Sequence, residues 1–172
     1  MPKSKKLDLK EILFPTLSLF VICLVISGAL AAVNAVTAGP IAANEKLEAD
    51  AARQALFPGA SFEARDDYII AMKDGVPMGY CIDAEAQGYG GAIKVAVGLD
   101  VDGNVVKVQV VSCDGETPGL GQKVKEEGFL AQFIGKKDAD SFDGIASATY
   151  SSRGVADAVN QALEIYREVI AQ

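Results

Sequence analysis

The sequence predicts an α+β protein, with one amino-terminal transmembrane helix followed by an extracytoplasmic domain whose antiparallel sheet is packed by helices. Three observations carry that expectation. No residue between Glu11 and Glu45 is charged; Val alternates with Lys or Gln between Ile93 and Val110; and apolar residues recur at helical spacing from Val155 to Ile170. The first is a membrane signal, the second marks a half-buried strand pair, and the third marks an amphipathic helix.

Phe14 to Val33 is almost wholly apolar, long enough to cross a hydrocarbon core of roughly 30 Å as a helix. A secretory signal is the competing reading, with small residues at Val33-Asn34-Ala35. Signal h-regions run only about 7–15 residues, and this one is longer. Cys23 sits mid-segment after Val21 and Ile22, which excludes a lipoprotein cleavage site and makes it a lipid- or helix-facing residue. Lys3, Lys5, Lys6 and Lys10 precede the span, and basic residues beside a first helix tend to stay in the cytoplasm. The division expected is therefore residues 1–11 in the cytoplasm, 12–36 across the cytoplasmic membrane, 37–60 as a connecting segment with a short helix, and 61–172 as the extracytoplasmic domain.

Thr37-Ala38-Gly39-Pro40 is expected to break the first helix, and Glu45 to Leu56 to form a separate Ala-rich helix ending at Pro58-Gly59. Tyr68 to Met72, an Asp74-Gly75 turn and Val76 to Asp83 read as paired strands. Ile93 to Leu99, a turn at Asp102-Gly103-Asn104 and Val105 to Val110 form the clearest hairpin, with one face wet. Gln122 to Ile134 reads as a helix burying Val124, Phe129, Leu130 and Phe133, with Gly128 as the place where it splits. The last helix, with its first turns near Arg153-Gly154-Val155, buries Val155, Val159, Leu163, Tyr166 and Ile170.

Composition excludes several classes of function. The 172 residues hold 23 acidic and 16 basic side chains, a net charge of −7, which is the wrong sign for holding nucleic-acid phosphates. Without the first eleven residues the balance is 12 basic to 21 acidic, so anionic lipid would repel rather than adsorb the exported part. There is no histidine, which removes Ser-His-Asp and Cys-His catalysis, His-bearing zinc sites and His-ligated haem. Cys81 and Cys113 are expected outside, where a disulfide between them and two buried free thiols both remain open.

Three loops at the edges of elements are candidates for binding: Gln87-Gly88-Tyr89-Gly90-Gly91, Glu116-Thr117-Pro118-Gly119-Leu120-Gly121, and Asp143-Gly144-Ile145-Ala146-Ser147-Ala148-Thr149. On composition alone each is also an ordinary turn, and neither glycine loop has the spacing of a dinucleotide or phosphate loop. The third runs on through Tyr150-Ser151-Ser152 into a helix, where open amides accept a serine cap or an anion.

Asp143-Gly144-Ile145-Ala146-Ser147-Ala148-Thr149 resembles the Asp-x-x-Ser-Gly-Ala-Thr signature of FMN-binding domains that carry flavin on a threonine, with Ala146 in place of the Ser and Ser147 in place of the Gly. The wider chain resembles the G subunits of Rnf electron-transport complexes, relatives of the C subunit of the sodium-translocating NADH:quinone reductase. The span and Val33 to Ala42, Gly88-Tyr89-Gly90-Gly91, Glu116 to Gly121 and the threonine signature follow in the same order. Where the family often has a histidine ahead of the Glu-Thr-Pro-Gly-Leu-Gly stretch, this chain has Ser112-Cys113-Asp114-Gly115.

The resemblance implies a flavoprotein subunit that relays electrons through covalent FMN in a ferredoxin:NAD oxidoreductase moving sodium ions or protons, with other members of the complex and a flavin transferase as partners. Thr149 is then the phosphodiester acceptor, and Asp143, with Ser147 and Ala148, part of the recognised motif. Ser151 and Ser152 lie where the phosphate would rest. Gly88, Tyr89, Gly90, Gly119, Leu120 and Gly121 are candidates for the flavin lining, and Glu116 and Thr117 would bond either flavin or the neighbouring turn. No independent substrate catalysis and no metal are expected. The C subunit of the quinone reductase, a free-standing anchored flavin carrier, and a non-redox binding module are the other readings.

Overall fold

The computed structural model describes residues 9–170. Lys3, Lys5, Lys6 and Asp8 of the expected cytoplasmic segment lie outside the described residues, as do the side chains of Lys10 and Glu11. The chain divides into two compact units, Met1–Asn44 and Glu45–Gln172.

In the first unit the chain is helical throughout its described part. Helix α1, Leu9–Leu56, contains both Pro15 and Pro40, so Thr37–Pro40 does not break it. A proline deletes one amide donor and crowds the carbonyl four residues earlier. Alanines 31, 32, 35, 38, 42 and 43 flank the site, and their helix propensity holds the ladder on either side of that loss. The Thr37 hydroxyl also donates to the Val33 carbonyl, at 3.0 Å. Residues 13–44 are exposed, Cys23 among them, and this stretch is long and apolar enough to cross a membrane.

The second unit is built on one antiparallel sheet. Among the described residues it comprises β1 (Ser61–Ala64), β2 (Ile69–Lys73), β3 (Val76–Gln87), β4 (Ala92–Leu99) and β5 (Val105–Ser112), paired in sequence order. The predicted β4–β5 hairpin is present, with Val97 opposite Val108 and Val95 opposite Val110. Strand β3 continues to Gln87, four residues beyond its expected end, and pairs along β4 as far as Ala92. That extension delivers the Gly88 loop to the end of the sheet.

Alternation gives the sheet two faces. Ile82, Ile93, Val95, Val97, Leu99 and Val108 point to one core. Helix α3, Thr149–Ile165, covers that core with Val155, Val159, Ala162 and Leu163. It starts four residues earlier than its apolar spacing suggested and ends in a π-helical turn, Tyr166–Ile170. A Cβ on Gly154 would stand 3.0 Å from the Gln87 carbonyl oxygen and 3.2 Å from Gly88 Cα, so glycine is what lets the first turns of α3 approach the end of β3.

The segment expected as one helix from Gln122 is a 3₁₀ turn at Gly121–Lys125, the short α2 at Glu127–Leu130, and a second 3₁₀ turn at Ala131–Phe133. The break falls at Glu126, whose backbone is extended (ψ 136°), rather than at Gly128. Val124, Phe129, Leu130 and Phe133 are still buried. Losing a ring such as Phe133 would cost about 3–5 kcal/mol.

The opposite face is not left to water. Ala52, Leu56 and Phe57 pack on Ala71, Cys81 and Ala96. Glu45 pairs with Lys94 at 3.0 Å, and Lys107 Nζ donates to the Ala55 carbonyl at 3.1 Å. Cys81 lies in this second core and Cys113 in the first, so the sheet separates them and both are free thiols.

Candidate functional site

The three glycine-bearing loops meet at one end of the sheet, around the carboxylate of Glu116. That side chain is 2% exposed. Its Oε1 accepts the Gly90 N–H at 3.0 Å, and its Oε2 accepts a short hydrogen bond from the Ser151 hydroxyl. Its own N–H donates to the Cys113 carbonyl at 3.0 Å. A buried carboxylate needs such partners, and here they come from the Gly90 loop and from the start of α3. Glu116 therefore bonds the neighbouring turn, as one of its two readings held, and it also ties down the first turn of α3.

The loops are in intimate contact. A Cβ on Gly90 would overlap the carbonyl oxygen of Gly115, and one on Gly115 would lie 2.8 Å from the Gly90 oxygen, so two backbones touch where no side chain fits. Gly88 closes its own turn through its N–H to the Gly91 carbonyl, at 2.8 Å. The loop that begins at Glu116 turns at Thr117, whose carbonyl accepts the N–H groups of Leu120 and Gln122, each at 3.2 Å.

Between these loops lies an open cleft of about 380 Å³ lined by Tyr89, Thr117, Leu120, Gly121, Ser147, Ala148, Thr149, Tyr150 and Ser151. Thr149 is exposed and begins α3; the residue before it, Ala148, stands at the N-cap with no side-chain cap. The first intrahelical bond is the Ser152 N–H to the Ala148 carbonyl, at 2.9 Å. The start of α3, with the positive end of the helix dipole, thus lies on the cleft without a side-chain cap. Ser147 holds a left-handed backbone, φ 63°, which accounts physically for a glycine in the signature at this place.

The structure does not bring every expected residue to the cleft. Ser152 is buried, accepting the Ile145 N–H at 3.0 Å and donating to the Ala148 carbonyl at 2.9 Å; it braces the signature loop and caps nothing. Asp143 lies on a separate groove with Lys123, Phe129 and Gln132. Gly88 is buried against Glu116 and Ile93, and Gly119 is exposed in the turn before Leu120, with φ 73°.

Two residues were missed by the sequence reading. Gln132 pins the signature loop by accepting the Asp143 N–H at 2.7 Å and donating to its carbonyl at 3.3 Å; nothing in its surroundings along the chain marks it. Tyr150 lines the cleft, and its position directly after Thr149 was the available signal.

Burial pushes the Cys113 thiol up; Lys125 opposes this and Asp114 and Glu116 add to it. Among the described residues no group of His, Cys, Asp and Glu is arranged to hold a metal ion. The site has the parts of a binding cleft: hydroxyls, open amides, glycine walls and exposed aromatic rings.

Comparison with known proteins agrees with that chemistry. The FMN-binding domain family matches residues 88–164, the stretch that contains all three loops. The G subunit of the proton-translocating ferredoxin:NAD(+) oxidoreductase complex of Clostridium ljungdahlii is 29% identical over 94% of this chain and 95% of its own length. The G subunit of the ion-translocating oxidoreductase complex of Escherichia coli O157:H7 is 30% identical over 79% of this chain and 82% of its own. Among solved structures, the C subunit of the Na(+)-translocating NADH-quinone reductase of Parabacteroides distasonis superposes with a TM-score of 0.50 and 25% identity, over 59% of this chain and 60% of that one. Buried Glu116, the close loops around it and the uncapped start of α3 are thus features of a chain that belongs to the family of G subunits of ion-translocating (Rnf) oxidoreductase complexes.

Proposed function

We propose that this chain is a membrane-anchored flavoprotein subunit that relays electrons through FMN held covalently on Thr149, within a ferredoxin:NAD oxidoreductase that moves ions across the membrane. The observation that carries the reading is the position of Thr149, exposed at the uncapped start of a 17-residue helix and on the wall of the cleft.

The cleft fits the group. Its volume of about 380 Å³ is in the range of small-ligand and cofactor sites, roughly 300–1,000 Å³. The uncapped amides of Thr149, Tyr150 and Ser151 would hold a phosphate on Thr149 Oγ, and Tyr89 and Leu120 would offer apolar surface to a ring. When bound, the flavin supplies the redox chemistry. The chain's own residues attach it, orient it and keep it from diffusing away.

Attachment requires a flavin transferase and FAD. Thr149 Oγ would be the acceptor: a phosphodiester to the FMN half of FAD would form as the anhydride bond to AMP breaks, with AMP leaving and the hydroxyl proton passing to solvent. Asp143, off the cleft and on its own groove, is assigned to recognition by that enzyme. Residues 1–11 remain in the cytoplasm, residues 12–36 cross the membrane, residues 37–60 connect, and the domain of residues 61–172 lies outside, where the other members of the complex meet it.

The test is coexpression of the full chain with a flavin transferase. A fluorescent band on a denaturing gel and an intact mass raised by one FMN adduct are expected, and both disappear in Thr149→Ala. An unmodified mass beside an active transferase overturns the assignment.

A further inference from the structure

The chain has five tyrosines, and they fall into two groups. Tyr68, Tyr80 and Tyr166 stack edge to face, with ring centroids 5.9 and 5.8 Å apart, and pack against the first core. Tyr89 and Tyr150 are each 72% exposed, one on the Gly88 loop and the other in the first turn of α3, and line the same cleft as Thr149. Their ring centroids are 6.4 Å apart with planes tilted by 46°, and neither hydroxyl has a hydrogen-bond partner among the described residues. Large aromatic surfaces left in water on a loop and on a helix start, lining one cleft, point to a flat apolar ligand.

The spacing is set by the same carboxylate. Tyr89 stands between Gly88 and Gly90, and the Gly90 N–H is held by Glu116 Oε1. Tyr150 precedes Ser151, whose hydroxyl is held by Glu116 Oε2. A planar ring between two aromatic faces needs about 3.5 Å on each side, or about 7 Å in all. The present separation falls short of that by less than an ångström, and rotation about the two free side-chain torsions of each tyrosine removes the tilt.

We infer that Tyr89 and Tyr150 form an aromatic clamp that grips the isoalloxazine ring of the flavin carried on Thr149. The inference rests on the FMN reading above and deepens it. Tyr150 is a positioning residue for the cofactor, and the ring is held by stacking rather than by the covalent link, which reaches only the phosphate.

The experiment uses the full chain in detergent after coexpression with a flavin transferase, comparing wild type with Tyr89→Leu, Tyr150→Leu, the double variant and Tyr150→Trp. Flavin fluorescence per adduct, with adduct counted by intact mass, is measured before and after denaturation. An electron-rich ring in contact with flavin quenches its emission. Native wild-type fluorescence is therefore expected to rise at least about threefold on denaturation. The double variant should start near its denatured level, the single leucine variants in between, and Tyr150→Trp close to wild type. Circular dichroism checks that each variant is folded. Equal native fluorescence per adduct in wild type and in a folded double variant overturns the clamp, as does adduct lost in the variants alone. Wild type without adduct overturns the Thr149 assignment instead.

Discussion

The two ends of β4 close in contrasting ways. After Leu99, the Asp100 carboxylate accepts the N–H groups of Asp102 and Asn104 at 2.9 and 2.8 Å and the Asn104 amide at 2.7 Å. The Tyr166 hydroxyl then seals that turn with a 2.8 Å bond to the Val101 carbonyl. Before Ala92, about 25 Å away along the strand, Glu116 does the comparable work with partners 26 and 35 residues distant in sequence, and two tyrosines stay in water. One carboxylate folds its own turn. The other ties two glycine loops to the start of α3 and leaves a gap between them. A local anchor makes a stable end, and a long-range anchor makes a site.

The largest test of this contrast is Glu116→Ala. It strands a partly buried amide and a buried hydroxyl, so a loss of about 2 kcal/mol is expected, read as a lower melting midpoint of the detergent-solubilised chain together with a reduced FMN adduct. Glu116→Gln, which keeps an acceptor for one partner, should fall between. A Glu116→Ala chain that melts like wild type would break the comparison.

A smaller effect, confined to acid, is expected at the other end. Burial pushes the Asp100 carboxyl up, but the bonds from Asn104 and Asp102, helped by Lys137, outweigh it and hold the group below the ordinary carboxylate range. The unfolded chain then binds the proton more readily than the folded one. The contribution is present above the unfolded value of about 3.9 and is lost as pH falls through the lower folded value. Asp100→Asn should flatten the acid limb of melting temperature against pH below about pH 4; an unchanged acid limb would count against a functioning local anchor.

The smallest effect has the opposite sign. Ser147 sits at φ 63°, where a side chain costs roughly 1 kcal/mol, and part of that is returned to glycine as unfolded-chain entropy. Ser147→Gly should stabilise the chain by about 0.5 kcal/mol without reducing adduct formation. A lower melting midpoint would show that the serine side chain contributes at the cleft.

What the sequence made legible follows the same division between local and distant. The β4–β5 hairpin announced itself through Val-Lys-Val alternation, and α3 through the spacing of Val155, Val159 and Leu163, because in both the period is written in neighbouring residues. The loops and Thr149 were found by motif. Strand β1 was not, since Ser61-Phe62-Glu63-Ala64 is four residues at a sheet edge with no period to read. The helix through Pro40 was missed because local proline chemistry argued for a break that alanine-rich flanks override. Glu116 was placed at the site, but its bonds to Gly90 and Ser151 depend on β3 running to Gln87 and on α3 starting at Thr149. Both are boundaries that tertiary contacts set.

The sheet that separates Cys81 from Cys113 also keeps the domain's two thiols quiet. Burial, reinforced by Asp83, raises the Cys81 thiol to about 12, and burial raises that of Cys113 as well. At neutral pH almost no thiolate exists to meet peroxide or another thiol. The two cysteines therefore offer neither a ready nucleophile nor a disulfide between them, and a redox change in the domain finds no thiol couple competing with a bound cofactor.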